Sequence, residues 1–332
     1  MATRQASRVQ VVDLCSRRHG EQFRDGRFLS HEKDLAVAFR STVVAPGLIV
    51  ELAKRLDSFS SLSHVFVPEG SQGGFTSIDI CSACLAISKR LRIGSGIIRI
   101  LEHDPGLLAR RLLTLQQLSD NRFVLGIGTG RAGSDPKLTI RAMLDRLRLT
   151  RESFVTFTEA LPGVKMPETL IATLRKGIAK AVMGHSDGIL LNFCSPEHVR
   201  AVISSLGDAR RRLIVSCYLK IFYSKDEATA YRMLIEEFAG YDQNPSYHKM
   251  FESVGIAQEI GQANLFLRSG KSVRPSENLK RISLVNPTKR ELASYVTMFR
   301  EVGVDLPCLY PYFEPSEDAV FEIGKVEEIA RM

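Results

Sequence analysis

A chain of 332 residues, 44% hydrophobic and 25% charged, has the balance of a globular protein with a large core, and excludes a disordered, collagenous or small disulfide-framed chain. No run approaches the roughly 18 consecutive apolar residues of a membrane helix, and the opening MATRQASRVQ has no apolar signal core, so a cytoplasmic protein free of membranes is expected. The formal charge of +8 suits an anionic substrate or cofactor, but Lys and Arg alternate with acids along helical segments, so no nucleic-acid partner is expected.

Residues 1–35 are polar and rich in Arg and read as an N-terminal extension, and residues 36–332 read as one domain. Runs with strand character fall at 36–43, 64–68, 91–98, 122–127, 168–173, 187–192, 212–219 and 304–310, and most are followed by a segment of helical period. Eight βα repeats fit a closed parallel (β/α)₈ TIM barrel, class α/β, better than a six-stranded open sheet. Asp104-Pro105 is an N-cap with proline at the first helical position, and Leu107, Leu108, Leu112, Leu113, Leu115 and Leu118 give the helix that follows a broad apolar face. Ser195-Pro196 repeats the device, with Gly207 as the stop. Residues 223–303 are too long for one crossover helix and predict a helical insertion between the last two strands, placed to cover the barrel mouth or to form a dimer surface.

The six cysteines (Cys15, Cys81, Cys84, Cys194, Cys217 and Cys308) follow no framework spacing and are expected as free thiols; Cys81 and Cys84 form CxxC inside an apolar helix rather than at a redox turn. No His, Glu and Asp spacing predicts a metal site.

In a parallel barrel the working residues sit at the carboxyl ends of the strands. That rule selects Val44 and Ala45, Glu69 and Gly70, residues 96–99, 128–131 and 173–177, Asn192 and Phe193, Lys220, and 310–312. Glycines at 94–96 and 126–133 either floor a flat ligand or simply end strands. Gly128, Thr129, Gly130 and Arg131 begin a GxGxxG after a strand, but residues 138–160 read as one amphipathic helix where a dinucleotide fold needs its next strand and ribose-binding acid. Thr173, Leu174, Arg175, Lys176 and Gly177 open a helix with two cations, a phosphate seat or a solvated helix start. Glu69 is the best-placed carboxylate for gripping a ligand or moving a proton. His103 stands beside a helix cap, and His64 at the far end of the barrel.

The stretch LRIGSGIIRILEHDPGLLARRLLTLQQLSDNRFVLGIGTG, residues 91–130, resembles the signature of the luciferase-like monooxygenase superfamily, and within it the branch that uses the deazaflavin coenzyme F420, such as methylenetetrahydromethanopterin reductase-like proteins. The shared elements are a glycine-containing strand, an HxP-like turn before a long Leu-rich helix, and a strand ending in GxGTG; weaker similarity spans most of residues 36–313. The resemblance implies a (β/α)₈ homodimer with coenzyme F420, or alternatively FMN, at the strand carboxyl ends. It implies a cis peptide at Gly96-Ile97 behind the ring, and places Ser95, Gly96 and Ile97 among the cofactor-binding residues. It places Glu69, Gly128, Thr129 and Gly130 on the cofactor, and residues 173–177 on its phosphate.

Departures bear on the chemistry. Gly70 stands where the sugar-phosphate and alcohol dehydrogenases of the branch carry an acid/base His, and Arg131 where the sugar-phosphate enzyme has a carboxylate. The expected reaction is therefore a hydride transfer needing little acid/base help, for instance to a pterin-type methylene or imine group, with catalysis chiefly by positioning. Glu69 would supply a proton and Arg131 hold an anionic part of cofactor or substrate. Asn192 and Phe193 are expected to contact the substrate. An FMN-dependent monooxygenase, and a barrel that has lost catalysis and serves a binding role, are the alternatives.

Overall fold

A computed structural model describes residues 34–40, 44–70, 74–130, 136–270, 277–314 and 319–332. The N-terminal extension read at 1–35 lies almost wholly outside the described residues.

The apolar runs become parallel strands: β1 (Ala36–Ala38), β2 (His64–Val67), β3 (Arg92–Ser95), β4 (Ile98–Arg99), β5 (Phe123–Gly128), β6 (Glu168–Ala172), β7 (Gly188–Asn192), β8 (Ile214–Tyr223), β9 (Ser283–Val285) and β10 (Leu306–Phe313). β10 pairs with β1 through Ala36↔Cys308 and with β8 from Leu306↔Ser216 to Phe313↔Tyr223, which closes the sheet. Counting β3 and β4 as one interrupted strand, and setting aside the edge strand β9, the closed circuit has the eight expected members. The barrel is a TIM barrel, its interior filled by side chains rather than open as a pore. Phe66, Phe123, Phe222 and Phe313 are among its fully buried residues.

Between β3 and β4 the register slips. Ile93 faces Phe123 and Ile98 faces Ile127, so five steps along one side oppose four along the other, and the extra residue is taken up at Gly96 and Ile97 as a bulge. Bulges re-aim the strand that carries them, and this one lies at the barrel mouth.

The helices follow their chemistry. The Asp104 carboxylate accepts from the Leu107 N–H at 2.8 Å to open helix Pro105–Ser119, and the Ser195 hydroxyl accepts from the His198 N–H at 3.2 Å to open helix Pro196–Ser205. The leucine face is narrower than predicted. Leu108, Leu112 and Leu115 are buried and Leu113 packs partly, but Leu107 and Leu118 are exposed, because one helix face can bury only the residues near its contact line. Residues 136–158 form the single long helix that argues against a dinucleotide fold. Cys81 and Cys84 lie buried in helix Ser77–Ile87, their thiols pushed up by burial, and all five cysteines among the described residues are free.

After β8 come helices Glu227–Asp242, Pro245–Ser253 and Ala257–Arg268, the short turn of helix Glu277–Lys280, and β9, which adds to the outer edge of β8 through Lys220↔Ser283. Helix Lys289–Glu301 then leads back to β10, held at its start by a reciprocal Thr288 and Glu291 capping box. Among the described residues no helix is long and apolar enough to cross a membrane, and no cluster of His, Cys, Asp and Glu could hold a metal.

Candidate active site

The strand carboxyl ends surround a cavity of about 600 Å³, within the usual size range of a cofactor or substrate site. Its walls come from Arg40 beyond β1, Glu69 beyond β2, Gly96, Ile97 and Arg99, the Gly128, Thr129 and Gly130 turn beyond β5, residues 172–175 beyond β6, and Asn192 ending β7. Tyr218 of β8 and Tyr310 of β10 close the circle, and Glu237, Tyr241, Asn244, Ser246 and Tyr247 descend from the helices after β8. A smaller concavity of about 370 Å³ lies outside the barrel beside β9, lined by Glu227, Tyr231 and Glu291, with no Lys or Arg among the described residues of its walls.

The bulge is the best-anchored part of the wall. The Gly96-Ile97 peptide is cis. The Gly96 N–H donates to the Val67 carbonyl at 3.0 Å, the Ile97 carbonyl accepts from the Glu69 N–H at 3.1 Å, and the Gly96 carbonyl accepts from the buried Tyr218 hydroxyl at 2.6 Å. The glycines here serve packing. A Cβ on Gly96 would fall 1.8 Å from the Tyr218 oxygen, one on Gly126 2.1 Å from the Ser95 carbonyl, and one on Gly128 2.8 Å from the Ile97 side chain. Close internal approach, which is neither the ligand floor nor the strand end that the glycine content suggested, explains these positions.

Glu69 is fixed by the same loop. Its carboxylate accepts from the Arg99 N–H at 3.0 Å and faces the His103 ring nitrogen at 3.7 Å. Burial works to raise the carboxyl pKa, but His103 and the Arg99 N–H outweigh it and hold the group below its ordinary value. A carboxylate so held is ionised at neutral pH and suits an anchor or a base better than the proton donor expected from the sequence. Arg99 is committed: its Nε donates to Glu102 at 2.6 Å and its Nη1 to the Gly70 carbonyl.

Beyond β6, Thr173, Leu174 and Arg175 line the cavity, whereas Lys176 and Gly177 are exposed and lie off its wall, so one of the two expected cations faces the site. The helix that follows, Lys176–Val182, has only seven residues, and its dipole adds little. The Leu174 carbonyl is pinned by the His198 ring nitrogen at 2.7 Å. Asn192 donates from its amide nitrogen to the Tyr247 hydroxyl at 2.8 Å, and its Oδ1 is buried without a partner, a free acceptor beside the cavity.

Several expected residues belong elsewhere. Phe193 is fully buried with φ of 54°, packed against Phe238 and Tyr241 with ring centroids 4.4 and 4.9 Å away; the chain turns sharply after β7 and aims this side chain into the core under the following helices instead of at a substrate. Ser95 is also buried, its hydroxyl donating to the Gly126 carbonyl at 2.9 Å and accepting from the Gly126 N–H at 3.0 Å, so it ties β3 to β5 and does not reach the cavity. Val44 and Ala45 miss the cavity because β1 stops at Ala38, and Arg40 takes their place. Lys220 and Tyr312 are buried behind the wall; His64, read at the far end of the barrel, begins β2, where it is buried and stacked on Phe66. Arg131 lies outside the described residues.

Arg40, Glu237, Tyr218, Tyr241 and Tyr247 were not anticipated. Arg40 was hidden inside a strand read as 36–43, whereas β1 ends at Ala38, and nothing in a helical pattern tells which insertion residues will overhang the mouth.

The comparisons with known proteins agree with this geometry. The family model for luciferase-like monooxygenases matches residues 37–306. The chain is similar to the 4-hydroxyprotoasukamycin monooxygenase of Streptomyces nodosus subsp. asukaensis, 31% identical over 126 residues, which cover 36% of this chain and 34% of that protein; the match thus spans about a third of the curated relative's length. Among solved structures it resembles an F420-dependent secondary alcohol dehydrogenase in complex with an F420-acetone adduct (TM-score 0.67, 13% identity, 90% of this chain and 98% of that one). It also resembles the oxygenating constituent of 3,6-diketocamphane monooxygenase from the CAM plasmid of Pseudomonas putida in complex with FMN (TM-score 0.58, 13% identity, 91% and 98%). With the family model covering most of its length and the barrel closed as those structures require, the chain belongs to the luciferase-like monooxygenase family of oxidoreductases.

Proposed function

We propose that the protein is an oxidoreductase that holds a flavin-type cofactor, coenzyme F420 in the leading reading, at the mouth of its barrel, and transfers a hydride between it and a small organic substrate. The observation that carries this is the convergence of the Gly96-Ile97 bulge, Glu69, the Gly128, Thr129 and Gly130 turn, and Arg175 on one cavity of about 600 Å³. The residues present fit such a group. A ring would rest on the bulge, the free Asn192 acceptor would take one of its N–H groups, and Arg175 with Thr173 would meet its phosphate.

When bound, the cofactor supplies a ring atom that gives or takes a hydride. The chain's part is to hold donor and acceptor at near-attack distance and to exclude water beneath the overhanging helices. Glu69 orients the loop at the bulge and offers an ionised oxygen to a donor on either ligand. Among the described residues no histidine lines the cavity, which favours an activated acceptor, such as an imine or methylene carbon, over an alcohol that must lose a proton. A homodimer in the cytoplasm belongs to the same reading.

The similarity to curated monooxygenases favours a second reading, an FMN enzyme that consumes oxygen. Recording the chromophore that co-purifies, then titrating the cofactor-free protein with F420 and with FMN, tests both. Micromolar binding of F420 and substrate reduction without oxygen uptake supports the first, and FMN binding with oxygen uptake supports the second. Binding of neither would overturn both and leave a barrel with a non-catalytic binding role.

A further inference from the structure

At the pole of the cavity opposite Arg175, two cations share one carboxylate. Arg40 follows the first strand of the barrel circuit and Arg175 the fifth, which sets them across the mouth from each other. The Lys220 ammonium is wholly buried, and a buried ammonium needs a counterion and hydrogen-bond acceptors to stay charged. It takes both from one direction: its Nζ donates to Glu237 Oε1 at 2.6 Å and to the Tyr312 oxygen at 2.6 Å, and the Tyr312 hydroxyl donates to the same Oε1 at 2.6 Å. The rings of Phe193 and Tyr241, with centroids 4.0 and 4.3 Å from Nζ, complete its cage. The short contacts of Glu237 Oε1 are therefore taken by Lys220 and Tyr312. Arg40 engages the carboxylate through one terminal nitrogen only, its Nη1 straddling the two oxygens at 3.3 Å from Oε2 and 3.4 Å from Oε1, both long for a charged hydrogen bond.

The cluster carries one positive charge in excess, and the side chain that presents it to the cavity is Arg40. A guanidinium has five N–H donors in a planar fork. One of its terminal nitrogens is engaged, so most of the fork remains for a ligand. The walls beside it are aromatic: Tyr310, Tyr241 and Tyr218 line the same part of the cavity, with Tyr218 and Tyr310 in edge contact at 5.0 Å. Arg99, another cation of the lining, is already spent on Glu102 and Gly70.

We infer that the substrate is a flat aromatic compound bearing a carboxylate or phenolate, and that Arg40 selects it by its charge. This rests on the reading of the cavity as a site shared by cofactor and substrate, and it adds the substrate class. Lys220 and Glu237 act as positioning residues: they hold the ion cluster behind the wall and leave the guanidinium unsatisfied.

The test uses the cofactor-loaded full chain and a matched pair of probes, 2-naphthoate and its neutral isostere 2-naphthamide, with binding read from the cofactor absorbance. The wild-type protein is expected to prefer naphthoate by about tenfold, the value of one charged hydrogen-bonded contact. Arg40→Met is expected to bring the two probes together, Arg40→Lys to keep most of the preference, and Arg175→Met to keep it while weakening the cofactor. Equal binding of the probes by the wild type, no binding of either, or a preference that survives Arg40→Met would overturn the inference. If Arg40→Met does not fold, Arg40→Gln is judged by the same criterion. Should neither cofactor bind, the functional reading fails; the same pair titrated against the cofactor-free chain, read by tyrosine fluorescence, still decides the role of Arg40.

Discussion

The Tyr218 hydroxyl of β8 donates to the Gly96 carbonyl at 2.6 Å, joining the bulge to the opposite side of the barrel across 122 residues of sequence. The same oxygen occupies the space that a Cβ on Gly96 would need. Burial pushes the Tyr218 hydroxyl well above its ordinary pKa, so it remains a donor throughout the working pH range.

Gly96→Ala should therefore destabilise the fold by roughly 1–3 kcal/mol or more through overpacking, and displace the cavity wall. The double variant Gly96→Ala with Tyr218→Phe removes the clashing oxygen and should recover part of that loss. Urea unfolding of the two single variants and the double variant measures the coupling; strictly additive effects would show that the two residues do not share this space.

Glu69→Gln should weaken cofactor or substrate binding by about tenfold, since it removes the charge from a carboxylate held by charged or dipolar donors. Its pH dependence has a defined sign. Because the folded pKa lies below the usual 4.5, Glu69 contributes stability that is present above that value and is lost as the pH falls through the folded pKa. The stability gap between wild type and Glu69→Gln should be full at pH 7 and shrink on acidification below the usual carboxyl range. Thermal melts across that window check it.

Lys220→Met should leave the Glu237 carboxylate short of its principal partner. Burial works to raise the Glu237 pKa and Lys220 with Arg40 holds it down, so in this variant the carboxyl should titrate higher. A loss of about 3–5 kcal/mol is expected, as when one member of a buried pair is removed. Replacing Lys220 and Glu237 together with Met and Gln should cost less than Lys220→Met alone, which a double-mutant cycle by denaturant unfolding would register.

Arg175→Met should lower affinity for the intact cofactor by about tenfold and leave affinity for riboflavin, which lacks the phosphate, nearly unchanged. Equal losses for FMN and riboflavin would remove Arg175 from the phosphate seat.

Exposed Leu107 and Leu118 on helix Pro105–Ser119, with Leu149 and Val155 on the neighbouring helix Pro136–Thr158, leave apolar surface that a homodimer would cover. Leu118→Lys should shift the species seen by light scattering toward monomer without lowering the unfolding midpoint of the monomer. A wild-type protein that is monomeric at micromolar concentration would remove the dimer from the proposal.

Period and punctuation determined the barrel. Eight apolar runs separated by helix-length segments fit a closed parallel barrel better than an open sheet, and Asp104-Pro105 and Ser195-Pro196 fix helix starts through contacts within three residues of sequence. The same local logic placed Glu69, Gly128, Thr129, Thr173, Arg175 and Asn192 at strand ends, where the cavity has them. What needed the tertiary structure were pairings between distant residues. Phe193 and Ser95 leave the site because a left-handed turn and a cross-strand hydroxyl clamp point them inward, neither of which has a local pattern. Arg40 and Glu237 enter it because the helices after β8 fold back over β1, and the distribution of one carboxylate between two cations is fixed only by their distances. Local sequence sets where the backbone goes; which charge is left over depends on desolvation and geometry among residues that the chain brings together only on folding.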